Sequence, residues 1–85
     1  MISFDYVVKD EAGIHARPAS LLAKKAKSFK CTVTLSCNGW SCDARKLMMV
    51  MAMGVKKGDT ITITVDGEEE EKVAVELKQF FEENF

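Results

Sequence analysis

Ile2, Phe4, Tyr6 and Val8 alternate with Ser3, Asp5 and Val7, the twofold period of a strand with one buried face. The polar stretch Lys9 to Gly13 ends that run, and from Ala16 the period lengthens. Ala19, Leu22, Ala23, Ala26 and Phe29 recur at spacings of three and four, while Lys24, Lys25 and Lys27 fall largely elsewhere. This is an amphipathic helix of about three turns. Pro18 fits such a helix only in its first turn, where a missing N–H costs nothing. His15 therefore stands at the helix entrance.

The twofold period returns at Cys31, Val33, Leu35 and Cys37, separated by Thr32, Thr34 and Ser36. Asn38-Gly39 follows and predicts a two-residue hairpin, because both turn positions need positive φ. Trp40 to Cys42 should come back as a short paired strand. A second helix is expected from about Asp43 or Lys46 to Met53, closed by a left-handed Gly54. Thr60 to Asp66 alternates Ile61, Ile63 and Val65 with threonines, and Asp66-Gly67 ends it. Glu68 to Glu71 then open a last helix with the apolar face Val73, Leu77, Phe80 and Phe81. These acids suit a helix amino terminus.

The predicted order is strand, helix, strand, strand, helix, strand, helix. Short connections and one hairpin favour an α+β fold with a largely antiparallel four-stranded sheet and helices on one face. The 85 residues suit one small domain, 1–85, so any site is expected on the surface or in a shallow groove.

Charge narrows the choice of partner. The formal net charge is −1 and no basic block exceeds two residues, so nucleic acid is not expected. MISFDYVV lacks a basic stretch followed by a long apolar run, so neither a signal peptide nor a membrane span is expected. Cys31, Cys37 and Cys42 are odd in number and lack paired metal spacing, which suits a reduced, cytoplasmic chain. Cys31 and Cys37 share a strand face and should act as small core hydrophobes; the side taken by Cys42 is left open. With one histidine and no close cysteine pair, neither a metal nor a cofactor is expected.

The chemistry concentrates in Gly13-Ile14-His15-Ala16-Arg17-Pro18-Ala19-Ser20, which holds the chain's only histidine and only proline. A lone histidine is commonly just a solvated surface residue. Here the helix start would leave the amides of Ala16 and Arg17 unpaired and partly positive, a setting that binds phosphate. Arg17 offers a planar, permanently charged fork for phosphate oxygens. Together these parts describe a histidine that takes a phosphoryl group on nitrogen. No P-loop, general base or acidic metal pair accompanies it, so the chain should need a separate donor and acceptor and is not expected to be an enzyme.

Gly13 to Ala19 resembles the active-site signature of HPr, the small phosphocarrier family of the bacterial phosphoenolpyruvate:sugar phosphotransferase system (PTS). Asn38-Gly39, Met53-Gly54-Val55, Lys57-Gly58 and the Glu-rich start of the last helix follow in register. The resemblance implies an open-faced sandwich of order βαββαβα. It implies that enzyme I phosphorylates His15 at the expense of phosphoenolpyruvate. It also implies transfer to the IIA domains of sugar permeases, with Arg17 stabilising the phosphate.

Leu47 to Met53 is apolar without a break, and one short helix cannot bury every side of itself. Val50 and Met53 suit the core, whereas Leu47, Met48 and Met51 lie on another face. An apolar patch beside charges marks a partner surface. In the family the matching positions dock enzyme I and the IIA domains, and Ser20, Lys24 and Lys27 are expected to complete that surface. Met49 is less expected, since relatives often carry glycine or a charge there.

Lys46 is the sharper departure. The family usually has a serine here, which in Gram-positive bacteria is phosphorylated by a dedicated kinase for catabolite repression. Lysine cannot take that modification. It also cannot cap a helix as serine does, and its cation meets the positive end of the helix dipole. Asp43 is expected as a replacement cap, and the serine branch of control is expected to be lost. A monomer is expected. A regulatory HPr-like binding module, or a relay serving another pathway such as nitrogen control, stays open as an alternative role.

Overall fold

In the computed structural model, which describes residues 1–85, the elements run β1 (Ile2–Val7), α1 (Ala16–Ser28), β2 (Thr32–Cys37), β3 (Trp40–Asp43), α2 (Leu47–Ala52), β4 (Thr60–Asp66) and α3 (Glu70–Asn84). This is the expected order βαββαβα. The strands form one antiparallel sheet in the order β1-β4-β2-β3. Asn38 and Gly39 join β2 to β3 with φ of 52° and 83°, the positive pair that a two-residue hairpin requires.

Register separates the two faces of the sheet. Tyr6 pairs with Ile61, Phe4 with Ile63 and Val33 with Val65, all pointing inward. Ile61, Ile63, Val65 and Leu35 are fully buried, and each contributes roughly 1.5–3 kcal/mol by leaving water. Ile2 and Phe4 on the edge strand are only partly covered. The opposite face is polar and open: Ser3 Oγ lies 2.9 Å from Thr64 Oγ1, and Thr62 Oγ1 donates to Asp5 Oδ1 at 2.8 Å. All three helices lie against the inner face.

α1 buries Pro18, Ala19, Leu22, Ala23 and Ala26, the spacing expected from the sequence. α3 buries Val73, Ala74, Leu77 and Phe81, with Phe80 partly covered. The Phe81 ring sits 5.6 Å from that of Tyr6, whose buried hydroxyl has no hydrogen-bond partner. Cys31 and Cys37 are buried, and Cys42 shares their inner side, opposite Leu35. Burial pushes all three thiols up from their ordinary value, which keeps them protonated and poorly nucleophilic. No three His, Cys, Asp or Glu side chains gather as a metal site. No helix is long and apolar enough to cross a membrane.

α2 takes the later of its two expected starts: Lys46 is the N-cap and Leu47 the first helical residue, because Asp43 is still paired in β3 with Thr34. Asp43 also fails to replace the missing serine cap. Its Oδ1 accepts the Arg45 N–H at 2.9 Å, and its carboxylate grips the Arg45 guanidinium, with Nη2 to Oδ2 at 2.7 Å. A carboxylate engaged two residues down the chain has no reach left for the first-turn amides of α2. The helix ends at Ala52, one residue before Met53, and Gly54 turns left-handed at φ 65°.

Candidate functional site

The segment before His15 is held at both ends. The Phe85 carbonyl oxygen accepts the amides of Lys9 at 2.7 Å and Asp10 at 2.8 Å. Asp10 then closes a turn, its Oδ1 accepting the Ala12 N–H at 2.8 Å and its carbonyl accepting the Gly13 N–H at 2.9 Å. Asp10, Ala12 and Gly13 therefore form a self-bonded Asx-type turn. At the far end Ile14 N–H donates to the Val55 carbonyl at 3.2 Å. Gly13 adopts φ +66°, and a Cβ there would stand 2.2 Å from the Val55 oxygen. Only glycine fits that approach.

His15 leaves this bracket in an extended conformation (φ −119°, ψ 174°) and forms the N-cap of α1 without a side-chain cap bond. The first bond of the helix runs from Ala19 N–H to the His15 carbonyl at 3.0 Å. Ala16 and Arg17 therefore have no intrahelical acceptor for their amides, and Pro18 has no amide to satisfy. The first turn of α1 contains no acidic residue, so its partial positive charge is not neutralised from within. Arg17 is exposed and joins no ion pair. The imidazole is half-buried, and its Nε2 lies 3.8 Å from Asp10 Oδ2. Thus a histidine, two free amides and an unpaired guanidinium share one helix start, an arrangement suited to a tetrahedral dianion.

The remaining sequence-derived positions fall on the two helices behind this start. Ser20, Lys24 and Lys27 are exposed on α1. On α2, which packs beside α1, Val50 and Met53 are buried, Leu47 is partly buried, and Met48 and Met51 are 76% and 38% exposed. Met49 is exposed as well, at 51%. Lys46 is exposed and, with Lys27 and Arg45, lines a groove of about 380 Å³ without a single apolar side chain. Lys27 lies in the last turn of α1, where a cation complements the helix dipole.

Two residues escaped the sequence reading. Leu21 is 47% exposed, one turn beyond Arg17 and three residues before Lys24. Its signal was present, since it is an apolar residue off the Ala19, Leu22, Ala23, Ala26 stripe. Asp10 gave no such signal, because nothing in the local pattern tells that a loop aspartate will fold back towards His15.

His15 lines none of the three concavities of the molecule. The ring stands on an open surface, beside apolar and basic side chains. Fold and site thus define a class: a small α+β protein that presents a histidine outward at the start of a helix whose first amides are free. Comparison with known proteins agrees. Residues 2–83 match the PTS-HPr family, described as the PTS HPr component phosphorylation site. The phosphocarrier protein HPr of Mycoplasma capricolum subsp. capricolum is 39% identical over 79 residues, 93% of this chain and 89% of the relative. A solved mycoplasma histidine-containing phosphocarrier protein has a TM-score of 0.89 at 38% identity, covering 93% of this chain and 90% of its own. HPr-C-His from Thermoanaerobacter tengcongensis has a TM-score of 0.91 at 27% identity, covering 100% of this chain and 96% of its own. The chain belongs to the HPr family of PTS phosphocarriers.

Proposed function

We propose that this chain accepts a phosphoryl group on His15 from phospho-enzyme I, charged by phosphoenolpyruvate, and passes it to IIA domains of PTS sugar permeases. The observation that carries the reading is the open placement of His15 beside two unpaired amides. A ring outside every concavity is reached by another protein's surface rather than by a small substrate held in a pocket. In this reading the Ala16 and Arg17 amides and the Arg17 guanidinium hold the phosphate oxygens, and Pro18 keeps the first turn rigid without competing for them.

The partner surface comprises Ser20, Lys24, Lys27, Leu47, Met48 and Met51, with Leu21 added. Exposed methionines on a short helix suit a surface that must repack against several partners in turn. The basic groove at Lys27, Arg45 and Lys46 steers acidic partners towards it. Lys46 removes the acceptor for the regulatory serine kinase, so only the histidine branch operates. The protein works in the cytoplasm as a monomer.

The test is to incubate it with enzyme I and labelled phosphoenolpyruvate. Acid-labile label that His15→Ala abolishes, and that moves on to a IIA domain, is the expected result. No label would overturn the carrier reading. Label that no sugar-specific IIA accepts would replace sugar uptake by a regulatory or specialised relay.

A further inference from the structure

Asp10 is fixed by three hydrogen bonds that leave one of its oxygens unused. Its N–H donates to the Phe85 carbonyl at 2.8 Å, its carbonyl accepts the Gly13 N–H at 2.9 Å, and its Oδ1 accepts the Ala12 N–H at 2.8 Å. Oδ2 joins no hydrogen bond, and it is this oxygen that lies 3.8 Å from His15 Nε2. The backbone of His15 is equally constrained, between the Gly13 and Ile14 contacts with Val55 and the first bond of α1. The carboxylate and the backbone that carries the ring thus belong to one bracket. At 3.8 Å the pair is too long for a direct hydrogen bond and well within Coulombic reach. Such contacts at reactive centres commonly tighten only when the partner is in place.

We propose that Asp10 is a positioning residue for His15, holding the ring proton on Nε2 so that Nδ1 presents its lone pair to the incoming phosphorus. A neutral imidazole carries one N–H and one lone pair, and a nearby carboxylate favours the tautomer with the N–H on its own side. The inference rests on the phosphoryl-acceptor reading above. In the transfer the Nδ1 lone pair forms the N–P bond while the donor's bond to the same phosphorus breaks, its electron pair leaving with the donor. The Nε2 proton stays where it is. The ring becomes a phosphoimidazolium cation, and the Asp10 carboxylate faces that new charge from the Nε2 side. The interaction is stronger after transfer begins than before, which is the condition for accelerating the step. Placing the carboxylate at Nε2 also keeps it off the ring nitrogen that receives the phosphate, where two anions would repel.

Asp10→Asn separates the charge from the scaffold, because an amide oxygen still accepts the Ala12 N–H. The experiment measures the 15N shifts of His15 in the neutral ring, the melting temperature, and the rate of labelled phosphoryl acceptance against phospho-enzyme I concentration. The expected outcome is an unchanged melting temperature, a smaller Nε2–H population, and a maximal rate lowered by about three- to tenfold with half-saturation within about twofold. An Nε2–H population equal to the parent's overturns the proposal, whatever the rate does. A loss confined to half-saturation also overturns it, since Asp10 would then act in docking. A parent that takes no label defeats the carrier reading instead, and the 15N arm still decides whether Asp10 sets the tautomer. Asp10→Ala, which also removes the turn bond, is expected to add a lower melting temperature to the same tautomer change.

Discussion

α1 begins behind His15 and α2 begins behind Lys46, and neither helix receives a side-chain cap. Each has an aspartate shortly upstream that bonds a backbone amide two residues on: Asp10 to Ala12 and Asp43 to Arg45. The two starts diverge in what becomes of the second carboxylate oxygen. At Asp43 it is taken by the Arg45 guanidinium at 2.7 Å, and Lys46 is left as an exposed cation without an ion-pair partner. At Asp10 it remains free and faces the imidazole at 3.8 Å. One start presents an imidazole with two ring nitrogens; the other presents a fixed positive charge. Unpaired amides alone do not make a site, since both helices have them. The side chain placed among them, and what holds that side chain, decide the chemistry.

The largest effect is expected from removing the imidazole at the first start. His15→Ala should abolish acid-labile phosphorylation altogether while the fold persists, because the half-exposed ring makes no cap bond. Next comes the bracket behind it. Gly13→Ala forces a Cβ against the Val55 carbonyl and a left-handed φ on alanine, and should cost about 2–5 kcal/mol in urea unfolding. It should also slow phosphoryl acceptance, since His15 is carried on the same turn.

At the other start, Lys46→Ser supplies an oxygen that can cap α2 and should stabilise the protein by about 0.5–1 kcal/mol. It should also create a substrate for the serine kinase of Gram-positive relatives, which should leave the parent without phosphoserine. Stoichiometric phosphoserine on the parent would contradict the loss of that branch. The smallest effect concerns Asp43. Its hydrogen bond to the Arg45 guanidinium holds its carboxyl below the usual range. A depressed folded value means that the contribution is present above the unfolded value near pH 4 and lost as pH falls through the folded one. Asp43→Asn should therefore lower stability near neutrality and converge with the parent in acid, as parallel denaturant titrations at the two pH values will show.

Much of this molecule could be read along the chain. Strand faces, the Asn38-Gly39 turn and the α1 stripe follow from periods of two and of three to four, which depend only on neighbours. The helix entrance at His15, with Ala16, Arg17 and Pro18 in the first turn, was legible for the same reason: a helix start is a local event. Burial of Val50 and Met53 and exposure of Met48 were legible from helical spacing, whereas Leu47, expected on the same face as Met48 and Met51, packs partly against the core. The choice between Asp43 and Lys46 as the start of α2 was not, because pairing of Asp43 with Thr34 across the hairpin competes with helix capping. The local pattern offers Asp43 as a cap, whereas its carboxylate has a nearer partner in Arg45.

Local pattern thus accounts for the elements, their buried faces and the helix entrance at His15. It takes the folded chain to place β4 between β1 and β2, to bring Gly13 against the Val55 carbonyl, to anchor the amides of Lys9 and Asp10 on Phe85, and to set Lys27 in a groove with Arg45 and Lys46. These contacts join residues far apart in the chain. No local period encodes such contacts; they appear only when burying the inner face of the sheet has brought the helices and loops together.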